Sequence, residues 1–309
     1  MPSLPPDRAD RADRADRADR ADRADRADRP AKFFDQVPAG DIGLAVFLNA
    51  GDPPLPVLRD LLPALDESGV DCVELAVPFP DSPTDGPVIR RSARRALAHG
   101  VGLAEVLALL DDVRGTLRRT RIALLADWGH TVRPTPVGRF VAAVADSAAD
   151  GLLVHALPPR LRADYLRAAG EHGLPVVTTC YQQSTMDTQA DAREHASAYL
   201  YLVAHHGRSG QRPAAGFDAL AGTIRGLRGA APIAVGFGVR SAADVRSLAR
   251  AGADAAVVGS AAVEQVERSL DGGDVVAALT DWVATLRPVS SELETTGGPT
   301  AATLEGERP

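Results

Sequence analysis

A short run of residues that favour β-structure, followed by a turn and an amphipathic stretch, recurs eight times in this 309-residue chain. The eight runs are Gly43–Asn49, Cys72–Pro78, Ile122–Asp127, Gly151–Ala156, Pro175–Cys180, Tyr199–Ala204, Ile233–Phe237 and Ala255–Val258. The stretches with helical periodicity are Leu55–Glu67, Val88–Ala98, Leu103–Thr116, Val137–Ser147, Arg160–Glu171, Asp191–Ser197, Phe217–Leu227, Ala242–Ala251 and Asp274–Leu286. Strands that alternate with helices in this way predict a parallel sheet covered by helices.

Eight such units over about 245 residues predict an α/β protein with one domain, a (β/α)8 TIM barrel, whose usual size is about 250 residues. We expect this domain to span residues 32–287. A doubly wound sheet is the alternative, but it normally has fewer parallel strands and a GxGxxG motif after the first one. Here the first strand ends in NAGDPP, which lacks that motif.

The two flanks of this domain differ from it in composition. Residues 1–31 contain seven RAD triplets, and a three-residue period builds no continuous apolar face on a helix or a strand. The segment after residue 287 is rich in Gly, Thr, Glu and Pro. We therefore expect disordered tails at 1–31 and 288–309, and we assign no function to the RAD repeat.

Charge and residue content argue against several classes of function. A formal net charge of −7 disfavours a nucleic-acid surface. No apolar run is long enough to span a membrane, so we expect no membrane contact and a cytoplasmic location. Lys32, before the first strand, is the one lysine, which disfavours Schiff-base, pyridoxal phosphate and P-loop chemistry. Cys72 and Cys180 are expected to be buried thiols, and no Cys/His group has the spacing of a metal site.

Two carboxylates flank one turn in the stretch CVELAVPFPDSPTDGPVI. Glu74 lies inside a predicted strand, where an ionised carboxylate must be paired or has a raised pKa. Asp85 lies in the loop after that strand, and the active sites of TIM barrels lie at this end of the strands. Both acids are therefore candidates for catalysis. The alternatives are a structural Glu74 paired with an arginine and an Asp85 that only makes a turn before Gly86.

Glycines end the last two predicted strands, in the sequences GFGV and VVGSAAV. TIM barrels frequently bind phosphate with backbone N–H groups after strands seven and eight. The candidate residues are Gly236, Gly238, Gly259 and Ser260. Simple turn formation is the alternative.

The sixth predicted strand carries two tyrosines, Tyr199 and Tyr201, on the same face. That face could be the barrel interior, and plain packing of Tyr201 is the alternative to a site role. The loop that follows contains glycines and two adjacent histidines, His205 and His206. These histidines could be acid/base groups, and the alternative is that they are solvated, as adjacent histidines in loops usually are.

At these residues the chain resembles the tryptophan synthase alpha chain family, from about Phe33 to Leu286. The family pattern E-L-G-[IV]-P-F-S-D-P-x-A-D-G-P appears here as ELAVPFPDSPTDGP. FLNAGDP at the first strand, YLYL at the sixth, GFG at the seventh and GSA at the eighth support the resemblance. The match in order and spacing is specific, whereas any one piece alone would not be.

The resemblance implies a lyase that cleaves indole-3-glycerol phosphate to indole and glyceraldehyde 3-phosphate by a retro-aldol step, without metal or organic cofactor. It implies that Glu74 moves the protons and that Asp85 accepts the indole N–H. The residues implied for the remainder of the substrate are Phe47 and Tyr201 against the ring and glycerol, and Ser209, Gly210, Gly236, Gly238, Gly259 and Ser260 around the phosphate. A tryptophan synthase beta chain is the implied partner.

The chain also departs from the family pattern. The departures are Ala76 for Gly, Pro80 and the segment Asp81–Thr84 in the loop before Asp85, Asp127–Gly129 after the third strand, Ala156 for Asp, and the segment 204–210. Because both acids are retained, we favour an active lyase. A stand-alone lyase of specialised metabolism and an inactive regulatory barrel are the alternatives.

Overall fold

The computed structural model describes residues 32–204 and 216–287. The tails predicted at 1–31 and 288–309 lie outside the described residues. Residues 205–215, which include Ser209 and Gly210, lie outside them as well. The expectations for these segments stay predictions.

Eight strands alternate with helices in the described part of the chain. The strands are β1 Gly43–Asn49, β2 Cys72–Ala76, β3 Arg121–Asp127, β4 Gly151–His155, β5 Thr178–Tyr181, β6 Leu200–Val203, β7 Ile233–Gly236 and β8 Ala255–Val258. The helices are α1 Leu55–Glu67, α2 Pro87–Ala98, α3 Leu103–Val113, α4 Val137–Ala145, α5 Arg162–Glu171, α6 Met186–His195, α7 Ala221–Leu227, α8 Ala242–Ala251, α9 Ser260–Ser269 and α10 Val275–Leu286.

The strands form one parallel sheet in the order β4-β3-β2-β1-β8-β7-β6-β5. Its two ends meet at Leu152, whose N–H donates to the Pro175 carbonyl at 2.9 Å and whose carbonyl accepts the Val177 N–H at 3.0 Å. These bonds join β4 to the segment before β5 and close the sheet. The predicted TIM barrel is therefore confirmed, and the doubly wound alternative is wrong.

Two predicted strand boundaries differ from the observed ones at prolines. β2 ends at Ala76, before Pro78, and β5 begins at Thr178 rather than at Pro175. Proline has no N–H to donate to a neighbouring strand, so it stands at the margins of a ladder.

The first residues of the helices are predicted less accurately than the positions of the strands. Helix α6 begins at Met186 and not at Asp191, because the Thr185 side chain caps it by accepting the Thr188 N–H. Helix α9, Ser260–Ser269, is missing from the sequence-based prediction, which places no helix between the eighth strand and Asp274.

Aromatic rings fill the barrel at the N-terminal ends of its strands. Phe33 and Phe34, which precede β1, pack against Tyr199 with ring centroids 5.3 and 5.6 Å apart. A Cβ at Gly43 would lie only 2.7 Å from Phe34, so this strand residue must be small. Small residues of the strands that belong to the same interior cluster include Ala45, Ala123, Ala234 and Ala255. The barrel is thus filled at the N-terminal ends of its strands and open at their C-terminal ends.

Carboxylates at the closed end have structural partners. Three of them accept a backbone N–H of a neighbouring strand at 2.7–2.9 Å: Asp71 from Leu44, Asp150 from Ile122 and Asp254 from Ile233. These acids fix the strands relative to one another, as expected for polar residues at the N-terminal face of a barrel.

Candidate active site

Glu74 lies in the middle of β2 and faces the barrel interior, on the same side as Cys72. Its side chain is buried, and its Oε1 accepts a hydrogen bond from the Tyr199 hydroxyl at 2.6 Å. Burial raises the pKa of this carboxyl from 4.5 to about 7, although the Tyr199 hydrogen bond opposes the shift. In the described part of the chain the partner of this carboxyl is the Tyr199 hydroxyl and not an arginine, and Glu74 can exchange a proton near neutral pH.

Tyr199 lowers the pKa of Glu74 through this bond, against the larger effect of burial. Replacing Tyr199 by Phe keeps the ring packed against Phe33 and Phe34 but removes the donor that stabilises the carboxylate. We expect the Glu74 pKa to rise above its value of about 7 in Tyr199→Phe. An NMR titration of the labelled Glu74 carboxyl carbon measures the shift. An unchanged pKa would mean that Tyr199 only packs.

The open end of the barrel forms a cleft, here called the mouth cleft, with about 1020 Å³ of empty space including its opening. It brings together seven of the predicted site residues: Phe47, Glu74, Asp85, Tyr201, Gly238, Gly259 and Ser260. Ser209 and Gly210 lie outside the described residues. The two acids, eleven positions apart in the sequence, therefore open into one space of the size that holds a small molecule.

Tyr201 is close enough to both acids to respond to their charges. Burial raises the pKa of its hydroxyl, and the charges of Glu74 and Asp85 raise it further. A Cβ at Gly236 would lie 2.1 Å from that hydroxyl oxygen. Gly236 therefore makes room for the Tyr201 ring, and it is not among the described residues that line the cleft.

Gly238, Gly259 and Ser260 form a hollow at the ends of β7 and β8, here called the anion cradle. Phe237 and Gly238 have φ values of 77° and 85°, which turn the backbone sharply after β7. Gly259 precedes α9, and the first N–H groups of a helix have no acceptor within it and attract anions. The Ser260 Oγ is buried without a hydrogen-bond partner among the described residues. These groups fit a phosphate.

Arg240 is a cleft residue that the sequence analysis missed. It lies two residues after Gly238 and is the one Arg or Lys among the described residues that line the mouth cleft. Its Nη2 atom is 3.8 Å from Oε1 of Glu264 on α9. The only feature of the sequence that could have indicated a site role for Arg240 is its position after GFG. An arginine at that position is equally typical of a solvated residue before a helix.

Asn49 was also missed, although it lines the cleft at the end of β1. Its amide donates to the Ile89 carbonyl at 3.3 Å and to the Ser92 hydroxyl at 2.9 Å. These bonds tie β1 to α2, the helix that follows Asp85. The other missed lining residues with aromatic or polar side chains are Phe79, Thr84, His155, Thr179, Tyr181 and Phe237.

Two of the described departures from the family pattern, Ala76 and Thr84, line the cleft. Asp127 accepts the backbone N–H of His130 at 2.9 Å and lies 2.8 Å from its ring Nδ1, in the π-helical turn Trp128–Val132. Ala156, at the end of the fourth strand, has a φ of 55°.

Within residues 32–204 and 216–287, no group of three or more His, Cys, Asp or Glu is arranged to hold a metal ion. No helix in these ranges has the length and apolar character that a membrane crossing requires. Cys72 and Cys180 are buried free thiols, as predicted.

A closed (β/α)8 barrel with a proton-exchanging carboxyl and an anion cradle at its open end is an arrangement typical of barrel enzymes that act on phosphorylated substrates. The sequence profile of the family described as tryptophan synthase alpha chain matches residues 37–286. The chain therefore belongs to the tryptophan synthase alpha chain family, and it is a lyase of tryptophan biosynthesis.

Individual relatives agree with this assignment. The tryptophan synthase alpha chain of Burkholderia thailandensis is 38% identical over 254 residues, 80% of this chain and 91% of that protein. The one from Aromatoleum aromaticum is 35% identical over 232 residues, 74% and 84% of the two chains. Tryptophan synthase from Mycobacterium tuberculosis has a TM-score of 0.71 at 29% identity, over 82% of this chain and 95% of that one. The tryptophan synthase complex from Pyrococcus furiosus also scores 0.71 at 29% identity, over 80% and 98%.

Proposed function

We propose that this lyase cleaves indole-3-glycerol phosphate to indole and glyceraldehyde 3-phosphate by a retro-aldol reaction in the mouth cleft. The observation that carries the proposal is the Glu74 carboxyl, which is buried, has a pKa of about 7 and opens into the same cleft as Asp85 and the anion cradle. Such a carboxyl can act as an acid and then as a base at neutral pH.

The proton transfers can all pass through Glu74. The protonated carboxyl gives its proton to C3 of the indole, which places a positive charge on the ring nitrogen. The carboxylate then removes the proton from the hydroxyl on the carbon bonded to C3. The carbon–carbon bond breaks, its electrons return to the ring, and the hydroxyl carbon becomes the aldehyde. Glu74 ends protonated, so no other proton donor is needed.

Asp85 complements this role as a fixed negative charge beside the ring. A carboxylate that accepts the indole N–H stabilises the positive charge that develops on the ring nitrogen. Phe47 and Tyr201, which line the cleft, would pack against the ring and the glycerol portion. The two acids thus divide the work, one exchanging protons and one providing fixed charge.

The anion cradle would hold the phosphate through the backbone N–H groups of Gly238 and Gly259 and the hydroxyl of Ser260. Ser209 and Gly210, in the loop after β6, are proposed to complete it, and Gly236 contributes by admitting the Tyr201 ring. Arg240 would add positive charge, because phosphate carries close to two negative charges and both acids repel it.

Replacing Arg240 by Gln is expected to raise KM for indole-3-glycerol phosphate about tenfold with a smaller change in kcat. A hydrogen bond to a charged group is worth about 1.5–3 kcal/mol, and partial exposure reduces that value. Steady-state kinetics measure the effect. Indole glycerol without the phosphate is the matched substrate, and its kinetics should not respond to the change.

Arg250→Gln provides a control for this experiment. Arg250 is a solvent-exposed arginine on α8 that pairs with Asp218 at 3.4 Å and lies outside the mouth cleft. Equal increases in KM for Arg240→Gln and Arg250→Gln would contradict a specific role of Arg240 in binding the phosphate.

Indole release by the purified full chain tests the proposed function directly. Incubation with indole-3-glycerol phosphate should yield indole and glyceraldehyde 3-phosphate in equal amounts. Cleavage by the chain alone and in the presence of a tryptophan synthase beta chain should be compared. Absence of cleavage under both conditions would contradict the proposal and favour an inactive regulatory barrel.

A tryptophan synthase beta chain is the proposed partner, since solved relatives include a tryptophan synthase complex. Copurification with a beta chain and a faster cleavage rate in its presence would support coupled synthesis. Equal rates, with indole accumulating in solution, would favour the stand-alone lyase. The altered strand ends at Asp127 and Ala156 are the motivation for keeping that alternative.

A further inference from the structure

Polar side chains line one side of the mouth cleft. His155 ends β4, and Thr179 and Tyr181 lie on the neighbouring β5; all three line the cleft, and we call them the polar arc. Just below the arc the lining is apolar, with Leu125 on β3 and Leu153 on β4. The proposed chemistry at Glu74 and Asp85 does not use the polar arc.

The His155 ring is held in place by stacking. Its centroid is 6.3 Å from that of Phe79, with 26° between the rings. Phe79 stacks in turn on His130 at 5.7 Å and 24°, and the His130 ring contacts Asp127. The contact with Phe79 uses a face of the His155 ring, and within the described residues the two nitrogens at the ring edge are open to a further hydrogen bond. An imidazole can both donate and accept a hydrogen bond.

The polar arc lies across the barrel from the anion cradle. In a closed eight-stranded sheet, a strand faces the one four places further along, so β4 lies opposite β8. A substrate whose phosphate sits at the ends of β7 and β8 extends across the mouth, and its other end approaches β4 and β5. If Asp85, after β2, accepts the indole N–H, the six-membered ring of the indole points toward the arc.

We propose that the substrate of this chain is an indole-3-glycerol phosphate with a hydrogen-bonding substituent, such as a hydroxyl group, on its six-membered ring. This proposal rests on the proposed function and names its substrate class more narrowly. An indole ring without such a substituent would place only C–H groups against His155 and Thr179. It would exclude water from these side chains and offer them no hydrogen bond in return. Sites built to bind a hydroxyl discriminate strongly against the analogue that lacks it.

The reverse reaction tests this proposal with simple compounds. Indole and glyceraldehyde 3-phosphate condense when C3 of the indole bonds to the aldehyde carbon, C3 loses a proton and the aldehyde oxygen gains one. The full chain is assayed with indole, with the 4-, 5-, 6- and 7-hydroxyindoles, and with the corresponding methylindoles as controls for size. We expect at least one hydroxyindole to exceed both indole and its methyl counterpart about tenfold in kcat/KM.

Variants of the polar arc locate the effect. His155→Leu should abolish the preference for the hydroxyindole, and Thr179→Val, which changes shape little, should reduce it. His172→Leu, a change at an exposed histidine after α5, should leave the ratio of hydroxyindole to indole at its wild-type value. Thr179→Val keeps the test decisive if His155→Leu does not fold.

Two outcomes would overturn the proposal: no hydroxyindole is preferred to indole, or the preference persists in both arc variants. Failure of the proposed function would look different, because no indole would then condense at all. In that case calorimetric binding of hydroxyindoles and methylindoles still decides the inference. Tighter binding of a hydroxyindole that is lost in His155→Leu would support it, and equal binding would refute it.

Discussion

Replacing Glu74 by Gln is expected to lower kcat for cleavage of indole-3-glycerol phosphate by roughly 10²–10⁴-fold, the usual contribution of general acid–base catalysis. Gln has nearly the same shape as Glu. Its amide oxygen can accept the hydrogen bond that the Tyr199 hydroxyl donates to Glu74 at 2.6 Å in the wild type. Gln lacks the titratable carboxyl proton that Glu74 transfers in the proposed mechanism. Because the cleft keeps its form, KM should change much less than kcat, and steady-state indole release measures both.

The pH dependence of the wild-type reaction follows from the same group. The first proton transfer, to C3 of the indole, requires a protonated carboxyl. Since burial raises the Glu74 pKa to about 7, kcat/KM should fall as the pH rises above that value. Residual cleavage by Glu74→Gln should lack this decline. A decline at the same pH in the variant would assign it to another group.

Stability provides the control for misfolding. The folded-state pKa of Glu74, about 7, lies above the ordinary value of 4.5. The folded state therefore binds this proton more tightly than the unfolded chain, and the resulting stabilisation is full below pH 4.5 and is lost as the pH rises through 7. At 1.36 kcal/mol per pKa unit the loss is roughly 3 kcal/mol.

Glu74→Gln has no charge to bury, so its free energy of unfolding should decline by roughly 3 kcal/mol less than that of the wild type over that pH range. Urea unfolding at pH 5 and pH 8 compares the two proteins. A variant that is inactive and also less stable than the wild type at pH 8 would indicate a disrupted site. An undiminished cleavage rate would show that Glu74 is not the proton carrier.

The barrel could be predicted from the sequence because its determinants are local. Each strand is an apolar run bounded by turn residues, and each helix has its own apolar face, so eight repeats identify the closed sheet without any knowledge of contacts. Glu74 could be recognised in the same way, since a carboxylate inside an apolar strand is conspicuous wherever its partners lie.

The contacts of the site residues depend on which strands face one another across the barrel, and this arrangement could not be predicted from the sequence. Tyr199 is 125 positions from Glu74, and only closure of the barrel brings its hydroxyl to the carboxyl. His155 and Arg240 come near the same cleft from β4 and from the loop after β7. His155 has no distinctive neighbour in the sequence, and Arg240 has only the GFG two residues before it. Helix α9 was missed although Ala261 and Ala262 favour a helix.

Replacing Asp85 by Asn is expected to lower kcat/KM for cleavage by about 10²–10³-fold, comparable to the loss of one preorganised electrostatic contact in an active site. The amide oxygen of Asn can still accept the indole N–H, but it carries no charge to stabilise the positive ring nitrogen. The effect should therefore appear mainly in kcat. Glu74 should keep its raised pKa, because burial is the main cause of that shift.

Asp81→Asn is the matched control, because Asp81 belongs to the same loop and also carries one negative charge. Its side chain is 81% exposed and lies 3.4 Å from Arg90. Its φ is 54°, a conformation that Asn tolerates. If charge at the ring nitrogen is what matters, Asp81→Asn should cleave at close to the wild-type rate while Asp85→Asn does not. Similar losses in both variants would instead assign the effect to the loop as a whole, and an active Asp85→Asn would remove Asp85 from the mechanism.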